Sequence, residues 1–169
     1  MSQLFWITGL SGSGKTTFAK ILTERLSQNK RKAVLIDGDV IREIFGYSSD
    51  YSRQSRLEVA YKYSKLSALL VNSGIDVVCS TISLFHEIHD WNRSNIRDKY
   101  IEILIKTEMS ELIKRDSKQI YSRAKNGELK NVVGIDIEAE FPKNPNLILD
   151  NPSIKDLQNC AESLIRELK

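Results

Sequence analysis

Gly9-Leu-Ser-Gly-Ser-Gly-Lys-Thr16 is the stretch whose residue types and spacing specify chemistry most directly. It fits G-x-x-x-x-G-K-[ST] without a mismatch. Between a strand and a helix, such a loop gathers backbone N–H groups at the positive end of a helix dipole, where phosphate oxygens bind. Gly9, Gly12 and Gly14 let the backbone close around a triphosphate, with Ser11, Ser13 and Thr17 beside them. Lys15 is placed to neutralise the β- and γ-phosphates, and the Thr16 hydroxyl to ligate Mg²⁺. The alternative, an ordinary glycine-rich turn, does not require the strand before and the helix after.

Asp37-Gly-Asp39 is the second feature, directly after the apolar run Ala33-Val-Leu-Ile36. Parallel α/β sheets bind ligands beyond the carboxyl ends of their strands, which puts both acids beside the phosphate loop. One acid there holds Mg²⁺, directly or through water, and the other accepts a proton from an attacking hydroxyl. The alternative is a surface turn, because Asp-Gly is a common turn pair. Arg115, Lys118, Arg123, Lys125 and Lys130 form a basic stretch in a region poor in apolar pattern, about 117–145. A polar segment this long in a compact domain reads as a lid over bound nucleotide or as a solvated loop. His86 and His89 lie three apart with no third ligand nearby, so surface histidines are expected, not a zinc site. Trp6 is expected in the core.

Alternating strands and helices must hold these groups in place. Residues 4–8, 33–36, 75–79, 101–105 and 147–149 are short apolar runs of the kind that make buried parallel strands. Helices are expected from Thr16 to about Asn29, Val40 to Phe45, Ser52 to Asn72 and Glu87 to Asp98. Two more are expected after Ser110 as a cap and from Ser153 to Leu168, and Gly74 should close the third. Phe18, Leu22 and Leu26 fall four apart, on one helical face. The pattern predicts one α/β domain over 1–169, a three-layer fold of the P-loop NTPase type with a central parallel sheet.

Bulk properties agree. With 25 basic and 22 acidic residues, the net charge of +3 is too even to argue for a nucleic-acid partner. No apolar stretch reaches membrane-spanning length. The chain enters a strand at once, leaving no room for a signal peptide, so a cytoplasmic protein is expected. Cys79 lies in an apolar run, and two cysteines, Cys79 and Cys160, indicate no disulfide framework.

The motifs together resemble the adenylylsulfate (APS) kinase family over nearly the whole chain. Trp6 to Thr17 is similar to that family's phosphate loop beyond the generic pattern, and Asp37-Gly-Asp39 with Arg42 to its D-G-D-N-x-R. Ile82-Ser83 matches I-S-P, and Arg115-Asp-Ser-Lys118 with Tyr121 resembles R-D-x-K-G-L-Y. Gly134-Ile-Asp136, Glu140 and Pro142 match G-I-D-x-P-Y-E-x-P in part, and Asn144 to Asp150 resembles the closing N-P-x-L-x-L-D. The resemblance implies a kinase that moves the γ-phosphate of ATP to the ribose 3′-hydroxyl of a second nucleotide, usually as a homodimer. On that reading Lys15 and Thr16 hold ATP with Mg²⁺, Asp37 supports the metal, and Arg115 packs on the ATP base. Asp39 orients and deprotonates the hydroxyl, while Lys118 neutralises developing charge. Arg42, Arg56, Ile82 and Ser83 face the acceptor.

Departures from the family pattern cluster on the acceptor side. Val40 and Val59 replace asparagines, and Tyr61 replaces an arginine. Leu84, Phe85 and His86 replace proline, tyrosine and arginine, and Val132 replaces a phenylalanine that sandwiches the acceptor adenine. Tyr47, in Gly46-Tyr-Ser48, is the one aromatic slab left of that sandwich. Each base–aromatic stack is worth about 1–3 kcal/mol. Unchanged chemistry on a changed acceptor is the economical reading. A pyrimidine needs less stacking area, and a lost arginine fits a less anionic tail. Cytidine diphosphoramidate, used in capsule phosphoramidate biosynthesis by a divergent branch of the family, meets both conditions; APS is the alternative acceptor. A P-loop regulatory protein without transfer activity is the rival class, against which stand Asp39, Arg115 and Lys118 together.

Overall fold

A computed structural model describes residues 1–46, 51–116 and 118–168. Five parallel strands, β1 (Leu4–Thr8), β2 (Ala33–Asp37), β3 (Asp76–Ser80), β4 (Tyr100–Lys106) and β5 (Leu147–Asp150), pair in the order β2-β3-β1-β4-β5. The helices are α1 (Lys15–Gln28), α2 (Gly38–Ile44), α3 (Arg53–Asn72), α4 (His86–Ile96), α5 (Met109–Arg115), α6 (Ile120–Lys125) and α7 (Ile154–Glu167).

The strands read as continuous apolar runs because both faces of the sheet are covered. Successive side chains leave a strand on opposite faces. Leu4 and Trp6 of β1 therefore join one core, with Tyr63 of α3 and Ile88 of α4. Phe5 and Ile7 join the other, with Phe18 and Leu22 of α1 and Leu157 and Ala161 of α7. Phe18, Leu22 and Leu26 are fully buried, as their spacing predicts; each such side chain stabilises the fold by roughly 1.5–3 kcal/mol. Trp6 and Cys79 are buried as expected. Ser153 caps α7 in a reciprocal capping box with Asp156, and Gly74 takes a positive φ of 85° just past α3.

The connections put the site where it is. From β1 the chain passes beyond β3 to reach β2, returns to β3, and then crosses β1 to β4. The order thus reverses at the gap between β1 and β3, and ligands of open α/β sheets bind at such a gap. The loop after β1, the direct junction of β2 with α2 and the loop after β3 carry residues 9–14, Asp37 to Asp39 and Thr81 to Ser83 to that edge.

Three expectations change. Glu108, in an extended conformation, is the residue before α5, and Ser110 lies inside that helix. The turn from β4 is only two residues long, so the helix starts before the serine is reached. The 117–145 region is also more regular than its composition implies. It contains α6, and Tyr121, Val133 and Ile137 are buried against the α3/α4 core. His89 is buried, 4% exposed, and its Nε2 donates to the Ser83 carbonyl at 2.9 Å. Its ring faces Glu102, whose carboxylate accepts from Arg93 at 2.6 Å and from the Tyr100 hydroxyl at 2.7 Å. A polar core network, invisible to periodicity, holds this histidine inside.

Candidate active site

The phosphate loop is shaped by two glycines in particular. Gly14 adopts the left-handed conformation (φ 103°) at the cap of α1, which turns the loop into the helix axis. Gly9 (φ 150°) lies against β4 so closely that a Cβ there would meet the Ile105 carbonyl oxygen at 2.3 Å. Lys15 is the first residue of α1, and its Nζ folds back to donate to the Leu10 carbonyl at 2.7 Å. Burial pulls the Lys15 ammonium down to about 8; nearby Lys118 pushes the same way, and Asp39 and Asp37 oppose it. From α6, the Tyr121 hydroxyl donates to the Ser11 carbonyl at 2.7 Å. That bond ties the basic segment to the phosphate loop, and burial pushes Tyr121 up to about 12.

The two acids make different contacts. Asp37 ends β2 and caps α2: its Oδ1 accepts from the Asp39 backbone N–H at 3.0 Å. Its Oδ2 accepts from the Thr16 hydroxyl at 3.1 Å. Hydroxyl and carboxylate oxygens side by side, next to a phosphate cradle, are the donor set that Mg²⁺ takes, with phosphate and water completing the shell. Asp39 points its carboxylate at Lys118, Nζ to Oδ2 2.6 Å, and this contact holds the Lys118 ammonium above its ordinary range. Both side chains are largely exposed to the cleft, so their pairing adds little stability and leaves them accessible to a ligand.

The cleft has a volume of about 960 Å³, the size expected for small-molecule sites. Among the residues expected at the site, Ser11, Gly12, Gly14, Lys15, Thr16, Thr17, Asp37, Asp39, Arg42, Arg56, Ile82, Ser83, Lys118 and Val132 line it. Gly9 and Ser13 sit behind the lining, Ser13 fully enclosed in the loop. Arg115 lies outside the lining, where its guanidinium donates to the Asn151 side chain at 2.7 Å and to Glu111 at 3.2 Å. Tyr47 lies outside the described residues. Arg123 and Lys130 line the cleft with Lys118, whereas Lys125 does not. Val132 is only 5% exposed, held by Asp136, whose side chain accepts its backbone N–H.

Sequence reasoning missed Tyr51, Tyr63 and Thr81 of the cleft wall. Thr81 and Ser83 pair their hydroxyls at 2.8 Å. Phe85 lines the cleft, with the Arg53 guanidinium over its ring at 5.2 Å. Glu140 joins three segments: its backbone N–H donates to the Leu84 carbonyl at 3.0 Å, and its carboxylate accepts from the His86 backbone and from Arg53. Tyr51, Tyr63 and Phe85 are aromatic side chains that line the cleft among the described residues. The position of Tyr51 before α3 carried no sequence signal.

A family model described as adenylylsulphate kinase matches residues 1–150. The chain belongs to that family. It is a kinase of the family, acting on a nucleotide. It is 41% identical over 165 residues to the cytidine diphosphoramidate kinase of Campylobacter jejuni, covering 98% of this chain and 95% of the relative. It is 35% identical over 163 residues to the adenylyl-sulfate kinase of a Picosynechococcus species, covering 96% and 91%. Among solved structures, it resembles the APS kinase of Mycobacterium tuberculosis in complex with AMPPNP and APS, with a TM-score of 0.89 and 30% identity over 99% of this chain and 97% of that one. The family's α/β architecture and P-loop are therefore this chain's own. Among the described residues no helix is long and apolar enough to cross a membrane, and no cluster of three or more metal-ligating side chains occurs.

Proposed function

We propose that this kinase transfers the γ-phosphate of ATP to the ribose 3′-hydroxyl of cytidine diphosphoramidate. The observation that carries the transfer step is the Asp39–Lys118 pair, 2.6 Å apart, at the junction of the phosphate loop and the acceptor half. Asp39 takes the proton of the attacking hydroxyl, with Asp37 close enough to share the role. Lys118, once drawn onto the transferring phosphoryl group, offsets its developing charge, and Lys15 anchors the β- and γ-phosphates. Thr16 and Asp37 would hold Mg²⁺, which would neutralise phosphate charge. Arg115 supports the ATP base beside Asn151. Lys118, Arg123 and Lys130 close over the nucleotides and exclude water.

For the acceptor, the supporting observation is Val132. It lines the cleft yet is almost wholly buried, so the wall offers a small aliphatic surface where the family resemblance implies a stacking phenylalanine. That suits a pyrimidine ring. The 41% identity to a protein named for this acceptor points the same way. APS is the second reading, favoured by the likeness to a structure solved with APS. The setting we propose is the cytoplasm, the assembly a homodimer, and the pathway capsule phosphoramidate biosynthesis. The test is phosphorus NMR of the product formed from ATP, Mg²⁺ and cytidine diphosphoramidate. A new phosphate monoester coupled to the ribose H3′ is expected. A monoester at another position, or none, overturns the assignment.

A further inference from the structure

Thr81 and Ser83 both line the cleft, on the turn between β3 and α4. Their hydroxyls bond each other at 2.8 Å, and the Ser83 backbone N–H donates to Thr81 Oγ1 at 3.3 Å. The bond between the hydroxyls uses one of their two protons, so the other is left to meet a ligand. Backbone bonds anchor the turn at its ends: the Thr81 N–H donates to the Ile7 carbonyl at 3.1 Å, and the Leu84 carbonyl accepts from the Glu140 N–H at 3.0 Å. Between those anchors the Ser83 carbonyl is held by a side chain, the His89 ring, whose Nε2 lies 2.9 Å away. A carbonyl only accepts, so the ring proton sits on Nε2. The ring is itself braced from the core. His89 is buried on α4, and its Nδ1 faces Glu102 Oε1 at 3.9 Å. Glu102 is fixed in turn by Arg93, by the Tyr100 hydroxyl and through its backbone N–H by the Asn146 side chain at 2.9 Å. A buried polar ring is costly unless its atoms are used, and this one is used on the wall of the cleft.

We propose that His89 is a positioning residue that holds the Ser83 carbonyl from the core and thereby aims the Thr81–Ser83 hydroxyl pair at the acceptor nucleotide. This rests on the reading above that the cleft takes a nucleotide acceptor and that Ser83 faces it. His89 is not itself part of the cleft lining and acts only through the turn. A Ser83 carbonyl released from the ring would be left unpaired in a buried setting, so the turn would rotate toward another donor and carry both hydroxyls with it. The phosphate loop is held by separate bonds, Lys15 to the Leu10 carbonyl and Tyr121 to the Ser11 carbonyl, so ATP binding does not depend on this ring. The role belongs to the N–H donor, which a glutamine amide can replace and a leucine cannot.

The experiment measures kinetics with cytidine diphosphoramidate for wild type, His89→Leu, His89→Gln, Ser83→Ala and the double variant His89→Leu/Ser83→Ala. His89→Leu is expected to raise the acceptor KM about threefold to tenfold, the scale of one hydrogen bond, with the KM for ATP unchanged. His89→Gln should stay within about twofold of wild type, since an amide N–H replaces the ring donor. Ser83→Ala should match His89→Leu, and the double variant should lose no more than either single one, because residues acting through one contact are not additive. An unmoved acceptor KM in His89→Leu, an equal rise in its KM for ATP, no rescue by glutamine, or losses that multiply in the double variant each overturn the proposal. If His89→Leu does not fold, ¹⁵N NMR of the wild-type ring replaces it: the His89 Nε2 signal is expected to move on addition of cytidine diphosphoramidate, and a signal indifferent to the acceptor overturns the proposal. If wild type uses APS and no cytidine compound, the acceptor assignment falls while the same variants test His89 on APS. Turnover on neither acceptor overturns both.

Discussion

Replacing Asp39 by asparagine separates catalysis from architecture in this site. The Asp39 side chain makes one strong contact, with Lys118 at 2.6 Å, and both partners are largely exposed. Exposed pairs contribute about 0–1 kcal/mol. The local fold rests on other atoms: the Asp39 backbone N–H is held by Asp37, and the Gly38 carbonyl accepts from the Tyr63 hydroxyl at 2.8 Å. D39N should therefore melt within a few degrees of wild type and keep its KM for ATP. Its kcat should fall about 10²- to 10⁴-fold, the usual worth of a positioned base, or roughly 3–5 kcal/mol of activation free energy at 1.36 kcal/mol per decade. Coupled ADP-release kinetics, with a thermal melt of the same sample, give both numbers. D37N should behave differently. Asparagine caps a helix as well as aspartate does, so the Asp39 N–H keeps its acceptor and stability should change little, whereas loss of the carboxylate charge beside Thr16 should raise the Mg²⁺ concentration needed for half-maximal rate. A D39N enzyme with kcat within threefold of wild type would refute the assignment of the base.

Other outcomes follow from the same geometry. Val132→Phe should shift kcat/KM toward an adenine acceptor and away from a pyrimidine one, by up to about the 1–3 kcal/mol of one stack; an unmoved ratio would mean that Val132 does not contact the base. Lys15, drawn down to about 8, is charged below that pH and neutral above it. Since the charged form binds phosphate, ATP affinity should fall as pH rises through about 8, while bound phosphates favour the ammonium and cause proton uptake on binding. Calorimetry at pH 8.5 in two buffers of different ionisation enthalpy reads that uptake, and its absence would contradict the placement of Lys15. Gly9→Ala puts a Cβ 2.3 Å from the Ile105 carbonyl, and should cost on the order of 3 kcal/mol of stability by overpacking; a melting temperature equal to wild type would contradict the close packing of loop on strand.

The strands were legible because a doubly covered sheet needs uninterrupted apolar runs, and the donor site because Gly9 to Thr16 is one continuous motif. The misses have physical causes. α6 is little more than a turn, stabilised by Asp116, whose carboxylate accepts from the backbone N–H groups of Tyr121 and Ser122; no apolar period announces it. Ser110 resembles a cap, but the two-residue turn after β4 set the start of α5 earlier. His89 is polar yet internal because the Ser83 carbonyl and the Glu102 carboxylate, on the loop after β3 and on β4, meet its ring, contacts that no apolar period announces. The same holds for the cleft wall away from the phosphate loop. Arg56 bonds Asn131, 75 residues away, and two arginines from separate helices reach the Tyr51 ring. A single-segment motif forms the phosphate loop, and long-range assembly forms the opposite wall.

The central claim, family chemistry directed at a different acceptor, is tested most directly by one ratio. The measurement is kcat/KM for cytidine diphosphoramidate over kcat/KM for APS, from initial rates of ADP release at saturating ATP and Mg²⁺. A ratio of about 100 or more is predicted, the scale reached when a site's lost polar contacts discriminate between substrates. A ratio below one would contradict the account and make the acceptor-side substitutions compatible with an APS kinase.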